Sequence, residues 1–338
     1  MAARLFSRTP RPRVYVTRAL PGDALDRLRA QADVEVWPQD LPPSRDELAR
    51  ALTTAEGLLC LLTDNVDAAL IGGAPRLRVV STMSAGYDHI DVDACTRRGI
   101  VVGNTPGVLT EATADLTFAL LLAAARRVPE GERVVREGRW TAWHPSFLLG
   151  RDVHGATLGI VGLGQIGAAV ARRARGFEMR VLYASRTRQP SAEVLLGVGY
   201  RNFEALLAES DFVSAHVPLT PETRHLFNDA AFGRMKRTAI FINTARGAIV
   251  DEAALHRALE SERIAGAAID VAEVEPLPKS DPLLRLPNLL VTPHIGSASI
   301  ATREKMASLA ADNLLAGLGG KRPPHCVNPE ALEAPPAS

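Results

Sequence analysis

Residues 157–167 read T-L-G-I-V-G-L-G-Q-I-G, and this stretch decides the fold. Leu158 to Leu163 is a short apolar run suited to a buried parallel strand. Gly162, Gly164 and Gly167 then form G-x-G-x-x-G, and Ile166 to Arg175 continues as a helix that Gly176 can end. The first glycine permits a tight turn, the second lets backbone approach a pyrophosphate, and the third lets helix and strand pack closely. Strand, loop and helix together predict a dinucleotide site in which Gln165 and Ile166, at the junction of loop and helix, contact the cofactor and free N–H groups of the helix N-terminus face phosphate.

The next strand, Met179 to Ala184, should end at the cofactor's adenosine ribose, about 20 residues after the loop. An NAD-preferring site usually places an acid there. Here the residues are Ser185, Arg186, Thr187 and Arg188. A carboxylate would repel a 2′-phosphate, whereas a guanidinium can grip one. The expected cofactor is therefore NADPH, with NADH weaker.

The 338 residues suffice for two domains. A hydrophobic content of 46%, a charged content of 23% and a net charge of +1 describe an ordinary globular protein, without the basic run that nucleic acid binding requires. Cys60, Cys95 and Cys326 form no C-x-x-C, so no metal site is expected and a reducing cytoplasm suits them. The Arg- and Pro-rich first dozen residues lack a signal-peptide core, and Leu116 to Ala125 is too short to cross a bilayer.

Before the glycine loop, strands are predicted at Arg13–Thr17, Val34–Trp37, Gly57–Leu62, Leu77–Ser81 and Val101–Val102, with helices at Asp23–Ala30 and, capped by Ser44, Arg45–Leu52. These residues make a separate parallel α/β domain. A helix from Thr110 to Arg127 follows, its centre apolar on nearly every side and so expected to be buried all round. Trp140 and Trp143 lie in a polar, looped segment that suits an interface. The alternation then resumes with strands at Asp211–His216, Ala239–Asn243, Ile264–Val271 and Leu289–Thr292. A last helix, Ser299–Leu318, has Met306, Leu309, Ala310 and Leu314 at core spacing and stops at Gly319-Gly320, and disorder is expected from Pro329 onward.

Ligands of open α/β sheets sit beyond the carboxyl ends of the strands. Arg246 in N-T-A-R-G, Glu275 in D-V-A-E-V-E-P and His294 in T-P-H-I-G-S occupy such positions, and Glu273 competes with Glu275 by position alone. A cation, an acid and an imidazole suit a single reaction. Arg246 holds and polarises a 2-oxo acid, His294 gives a proton to the carbonyl oxygen, and the acid fixes the imidazole.

These motifs, with G-L-L-C-L-L-T-D-N-V-D (57–67) and S-T-M-S-A-G-Y-D-H-I-D (81–91), resemble the D-2-hydroxyacid dehydrogenase superfamily, and specifically its glyoxylate/hydroxypyruvate reductases. The resemblance runs from about Val14 to Gly320. It implies an Arg–Glu–His set on Arg246, Glu275 and His294, so it favours Glu275 over Glu273. It implies that Ala85 and Gly86 bind the substrate carboxylate through backbone N–H groups, with Ser297 also near substrate. Val217, Pro218, Thr244, Asp270 and Gly296 would line the cofactor. It implies two Rossmann-like or flavodoxin-like domains, with the dinucleotide domain (106–296) inserted into a discontinuous substrate domain (1–105 and 297–338) and two crossings acting as a hinge. It also implies a homodimer in which Trp143 reaches the neighbouring subunit's site. The implied reaction is reduction of glyoxylate to glycolate and hydroxypyruvate to D-glycerate. The alternatives are a phosphoglycerate- or formate-type member, each expected to carry an extension this chain lacks, and a dinucleotide-sensing regulator on the same fold.

Overall fold

The computed structural model describes residues 11–333. Two compact units emerge: one contains the chain up to Leu109 together with Ser299 onward, and the other is Thr110–Ala298. The second is thus inserted into the chain of the first.

The first unit holds a parallel sheet of β1 (Arg13–Val16), β2 (Asp33–Val36), β3 (Gly57–Cys60), β4 (Val79–Thr82) and β5 (Val101–Gly103), in the order β2-β1-β3-β4-β5. That is the flavodoxin-like winding. β3 and β4 are buried along their whole length, as central strands of a parallel sheet should be, although β4 ends in the polar Ser81 and Thr82. The helix Arg45–Leu52 starts as its sequence predicts: Ser44 and Glu47 cap one another reciprocally. Short helices at Ala68–Gly72 and Val92–Arg97 escape sequence reading, being only 5 and 6 residues long. The final helix is Ile300–Leu318 with Ser299 as its N-cap, and Gly320 leaves it at a φ of +68°. Met306, Ala310 and Leu314 are buried as expected, whereas Leu309 is half-buried.

The expected disorder is corrected for Pro329–Leu332, while the tail from 334 on lies outside the described residues. Pro329–Leu332 forms a 3-10 turn with Ala331 buried. Asn328 explains it: its side chain accepts from Val102 N and donates to Thr96 Oγ1 and Ile100 O. The exposed edge of β5 thereby gains partners.

The second unit has seven strands: β6 (Thr157–Val161), β7 (Arg180–Ala184), β8 (Gly199–Tyr200), β9 (Phe212–Ala215), β10 (Ile240–Asn243), β11 (Gly266–Ile269) and β12 (Leu289–Val291). Their order, β12-β11-β10-β9-β6-β7-β8, reverses direction between β6 and β9. Alternate side chains feed two cores: Phe241 packs with Phe227 and Phe232 on one face, while Ile240 and Ile242 join Tyr183 and Phe212 on the other.

Two further expectations change here. Within the single chain the helix Thr110–Ala125 is not buried all round, for Ala119 is exposed and Leu116, Leu122 and Ala123 are half-buried. The helix after the glycine loop is Gln165–Ala174, and it ends through a 3-10 turn and the left-handed Glu178, not at Gly176. Among the described residues no helix is long and apolar enough to cross a membrane.

Candidate active site

The glycine loop sits where the second sheet changes direction, the ligand-binding position of open α/β sheets. Gly162 has a φ of +99°, and a Cβ there would press on the carbonyl of His216 and on Val217, just beyond β9. A Cβ on Gly167 would lie 2.2 Å from the Gly162 oxygen, so helix and strand close only around glycine. A Cβ on Gly164 would meet nothing within 4 Å. Among the described residues, the N–H groups of Gly164, Gln165, Ile166 and Gly167 have no hydrogen-bond acceptor. The residues therefore fit a dinucleotide's phosphates: turn, open approach and uncommitted donors at a helix N-terminus. Burial pushes the nearby His216 imidazole down to about 4, so it adds no charge there.

Ser185 joins this loop, its Oγ accepting from Leu163 N at 3.1 Å. Arg186 and Thr187 are exposed. Arg188, expected at a 2′-phosphate, has its guanidinium forked onto Glu193 at 2.8 and 2.9 Å and lying over the Tyr200 ring. Glu193 also accepts from Tyr183 OH, and the Arg188 and Tyr183 bonds hold its carboxyl down at about 2. Two opposite charges in a bidentate fork make Arg188 a clamp on the loop.

At the other strand ends the trio comes together within the second unit. His294 Nδ1 and Glu275 Oε2 are 2.7 Å apart, with side chains 27% and 30% exposed. Partial burial raises the Glu275 carboxyl. The His294 hydrogen bond and charge, the Ala272 N–H and the Arg246 charge outweigh it and hold the group below the usual carboxylate range. Glu275 is thus an ionised acceptor, and His294 carries its proton on Nδ1. Glu273 instead bonds Arg224 and His225 at 2.9 and 3.0 Å. Geometry thus pairs Glu275, not Glu273, with the imidazole.

His294 is held in a left-handed conformation, φ +55°, uncommon for a non-glycine residue and typical of over-determined loops. Asp270 supplies the determination. It is buried, and its carboxylate accepts from Thr292 Oγ1, Ile295 N and Gly296 N at 2.6–2.8 Å, while its carbonyl takes His294 N. Ser297 and Ala298 complete this turn, with Ala298 N on Ile295 O.

Arg246 follows β10 in a turn bracketed by Asn243, whose side chain accepts from Ala245 N and donates to Arg246 O. Thr244 is hydrogen-bonded to Thr117, which ties the turn to the helix Thr110–Ala125. Gly247 is the residue sequence reading passed over. A Cβ on it would fall 1.9 Å from Ala272 C, because the Arg246 turn lies directly against the backbone leading to Glu275. Its signal was the G of N-T-A-R-G. Glu252 was also missed. It accepts from Glu273 N at 2.6 Å, and burial is the main cause of its raised carboxyl pKa.

Pro218 is exposed beyond β9 and accepts from Thr223 Oγ1 through its carbonyl, with Val217 half-buried beside it. Ala85 and Gly86 belong to the loop after β4 in the first unit. Trp143 is 81% exposed and Trp140 61%, so neither folds back onto its own unit. No group of three or more His, Cys, Asp or Glu is placed to hold a metal among the described residues.

A glycine loop at the switch point of a doubly wound parallel sheet defines a dinucleotide-binding α/β protein. The family pattern "D-isomer specific 2-hydroxyacid dehydrogenase, NAD binding domain" matches residues 118–296. The chain is 52% identical over 327 residues to a glyoxylate reductase of Korarchaeum cryptofilum, covering 96% of this chain and 98% of that one. A crystal structure of a Thermus thermophilus protein superposes with a TM-score of 0.88 at 52% identity, covering 93% and 99% of the two chains. An NADPH-dependent glyoxylate/hydroxypyruvate reductase from Sinorhizobium meliloti, in complex with NADP and malonate, gives 0.83 at 34% identity, covering 95% and 98%. The chain belongs to the D-isomer specific 2-hydroxyacid dehydrogenases, a family of oxidoreductases.

Proposed function

We propose that this protein reduces glyoxylate to glycolate and hydroxypyruvate to D-glycerate with NADPH, and that His294 is the general acid. The observation that carries the reading is the 2.7 Å His294–Glu275 pair in a loop clamped by Asp270. The relatives named glyoxylate reductase support the substrate class, and the Sinorhizobium enzyme supports the phosphorylated cofactor.

The cofactor, when bound, supplies the hydride. Its phosphates would rest on Gly164, Gln165 and Ile166, with Val217, Pro218, Thr244 and Gly296 along its length. Asp270 acts by holding the His294 turn. With Nδ1 bound to the Glu275 carboxylate, the imidazolium's Nε2 proton is the one given to the carbonyl oxygen. Glu275 stabilises that cation. Arg246 holds the acid and polarises its carbonyl; Ala85, Gly86 and Ser297 complete the substrate contacts. The unit Thr110–Ala298 is the dinucleotide domain and the other the substrate domain.

Ser185 and Arg186 carry the preference for the 2′-phosphate. The exposed Trp140, Trp143, Phe147 and Leu149 support a homodimer in which Trp143 reaches the partner's site. The enzyme is cytoplasmic in this reading. Turnover of a 2-oxo acid panel with NADPH and NADH tests it: a binding-only regulator would give none.

A further inference from the structure

Three consecutive carbonyls in the loop after β4 are tied back into the first unit. Ser84 O accepts from Thr105 N at 2.8 Å, Ala85 O from Asn104 Nδ2 at 2.7 Å, and Gly86 O from Ser84 Oγ at 2.6 Å. A trans peptide sets its C=O and N–H on opposite sides. The N–H groups of Ala85, Gly86 and Tyr87 therefore face away from those partners, and among the described residues none has an acceptor.

The bond to Gly86 O ends a chain whose direction follows from counting protons. A carbonyl only accepts, so the one hydroxyl proton of Ser84 is spent on Gly86 O. The 2.8 Å contact between Ser84 Oγ and Thr82 Oγ1 must then use the Thr82 proton. The 3.0 Å contact between Thr82 Oγ1 and His89 Nε2 in turn requires the proton on Nε2. Thr82 and Ser84 are buried, so water does not compete for these bonds.

We propose that His89, Thr82 and Ser84 are positioning residues for the substrate carboxylate: the relay from His89 Nε2–H through Thr82 and Ser84 to Gly86 O fixes the Gly86–Tyr87 peptide and makes Tyr87 N–H a third donor beside Ala85 and Gly86. The proposal rests on the 2-oxo acid reading given above. Donation into a carbonyl polarises its peptide, so the relay also strengthens the N–H it orients. Residues that touch no substrate thereby set how tightly the carboxylate is held.

The test titrates oxalate, a carboxylate that cannot be reduced by hydride here, into NADPH-saturated protein by calorimetry, beside steady-state glyoxylate reduction. Ser84→Ala should raise both the oxalate Kd and the glyoxylate KM about 10-fold, the effect of one hydrogen bond, with kcat within about threefold and NADPH affinity unchanged. Thr82→Val should do the same and add little to Ser84→Ala, because both cut one relay. His89→Leu should follow them, and His89→Gln, whose amide can donate, should recover most of the loss. Wild-type KM and Kd in Ser84→Ala and Thr82→Val would overturn the proposal. So would a joint fall of kcat, cofactor affinity and melting temperature, which marks a general fold defect. If wild-type protein reduces no 2-oxo acid yet Ser84→Ala still weakens oxalate, the relay stands and the proposed function fails.

Discussion

His294 Nδ1 and Glu275 Oε2 lie 2.7 Å apart although the residues are 19 positions apart in the chain. Asp270 holds the loop on the His294 side, and the close approach of Gly247 to Ala272 supports the Glu275 side. The pair is therefore built by backbone packing as much as by its own charge.

Glu275→Gln should keep the fold but lower kcat for reduction by about 10- to 100-fold, since the imidazolium loses its counter-charge. Removing a negative charge disfavours the protonated imidazole. The pH above which reduction declines should thus move downward, and a kcat–pH profile checks this. An unmoved profile would mean that Glu275 does not tune His294.

The cofactor loop separates two arginines that look alike in sequence. Arg186→Ala should weaken NADPH by about one to two decades and leave NADH nearly unchanged, the cost of one charge-assisted contact. Arg188→Ala should weaken both cofactors modestly, because it releases the Glu193 clamp. Kd values for both cofactors in both variants decide the matter. Equal losses for the two cofactors in Arg186→Ala would remove it from phosphate recognition.

That division shows where the sequence was legible. The glycine spacing, the strand ends and the positions of Arg246 and His294 follow local pattern, whereas position alone left Glu275 and Glu273 equal and only the resemblance chose between them. Arg188 could not be read from local pattern, because its fate depends on Glu193, Tyr183 and Tyr200 arriving from three different elements. Asp270 read as a cofactor-lining acid, and nothing local to it announces that its oxygens also hold a turn more than 20 residues away. Pro329–Leu332 looked disordered from composition, yet it forms a 3-10 turn next to Asn328, whose side chain is bonded to β5.

Gly247→Ala should abolish most activity and lower the melting temperature. Its Cβ would overlap the Ala272 carbonyl, which is backbone and cannot swing aside as a side chain can. Thermal unfolding and kcat measured together test this. Wild-type values for both would show that the Arg246 turn does not rest on the Glu275 loop.

Trp143→Ala should leave the fold and NADPH affinity intact, because the side chain is 81% exposed in the single chain. Selectivity between glyoxylate and hydroxypyruvate should change, and sedimentation of the wild type should give a dimer. A monomer with unchanged selectivity would refute a contribution from the partner subunit.

The central claim is that His294 gives the proton while NADPH gives the hydride. The most direct measurement is kcat for glyoxylate reduction with saturating NADPH, in wild type and His294→Gln, alongside NADPH Kd in each. A positioned acid contributes about 10²–10⁴-fold, so the variant should lose at least about 100-fold in kcat with its NADPH Kd unchanged. A variant that keeps more than about a tenth of wild-type kcat would contradict the account.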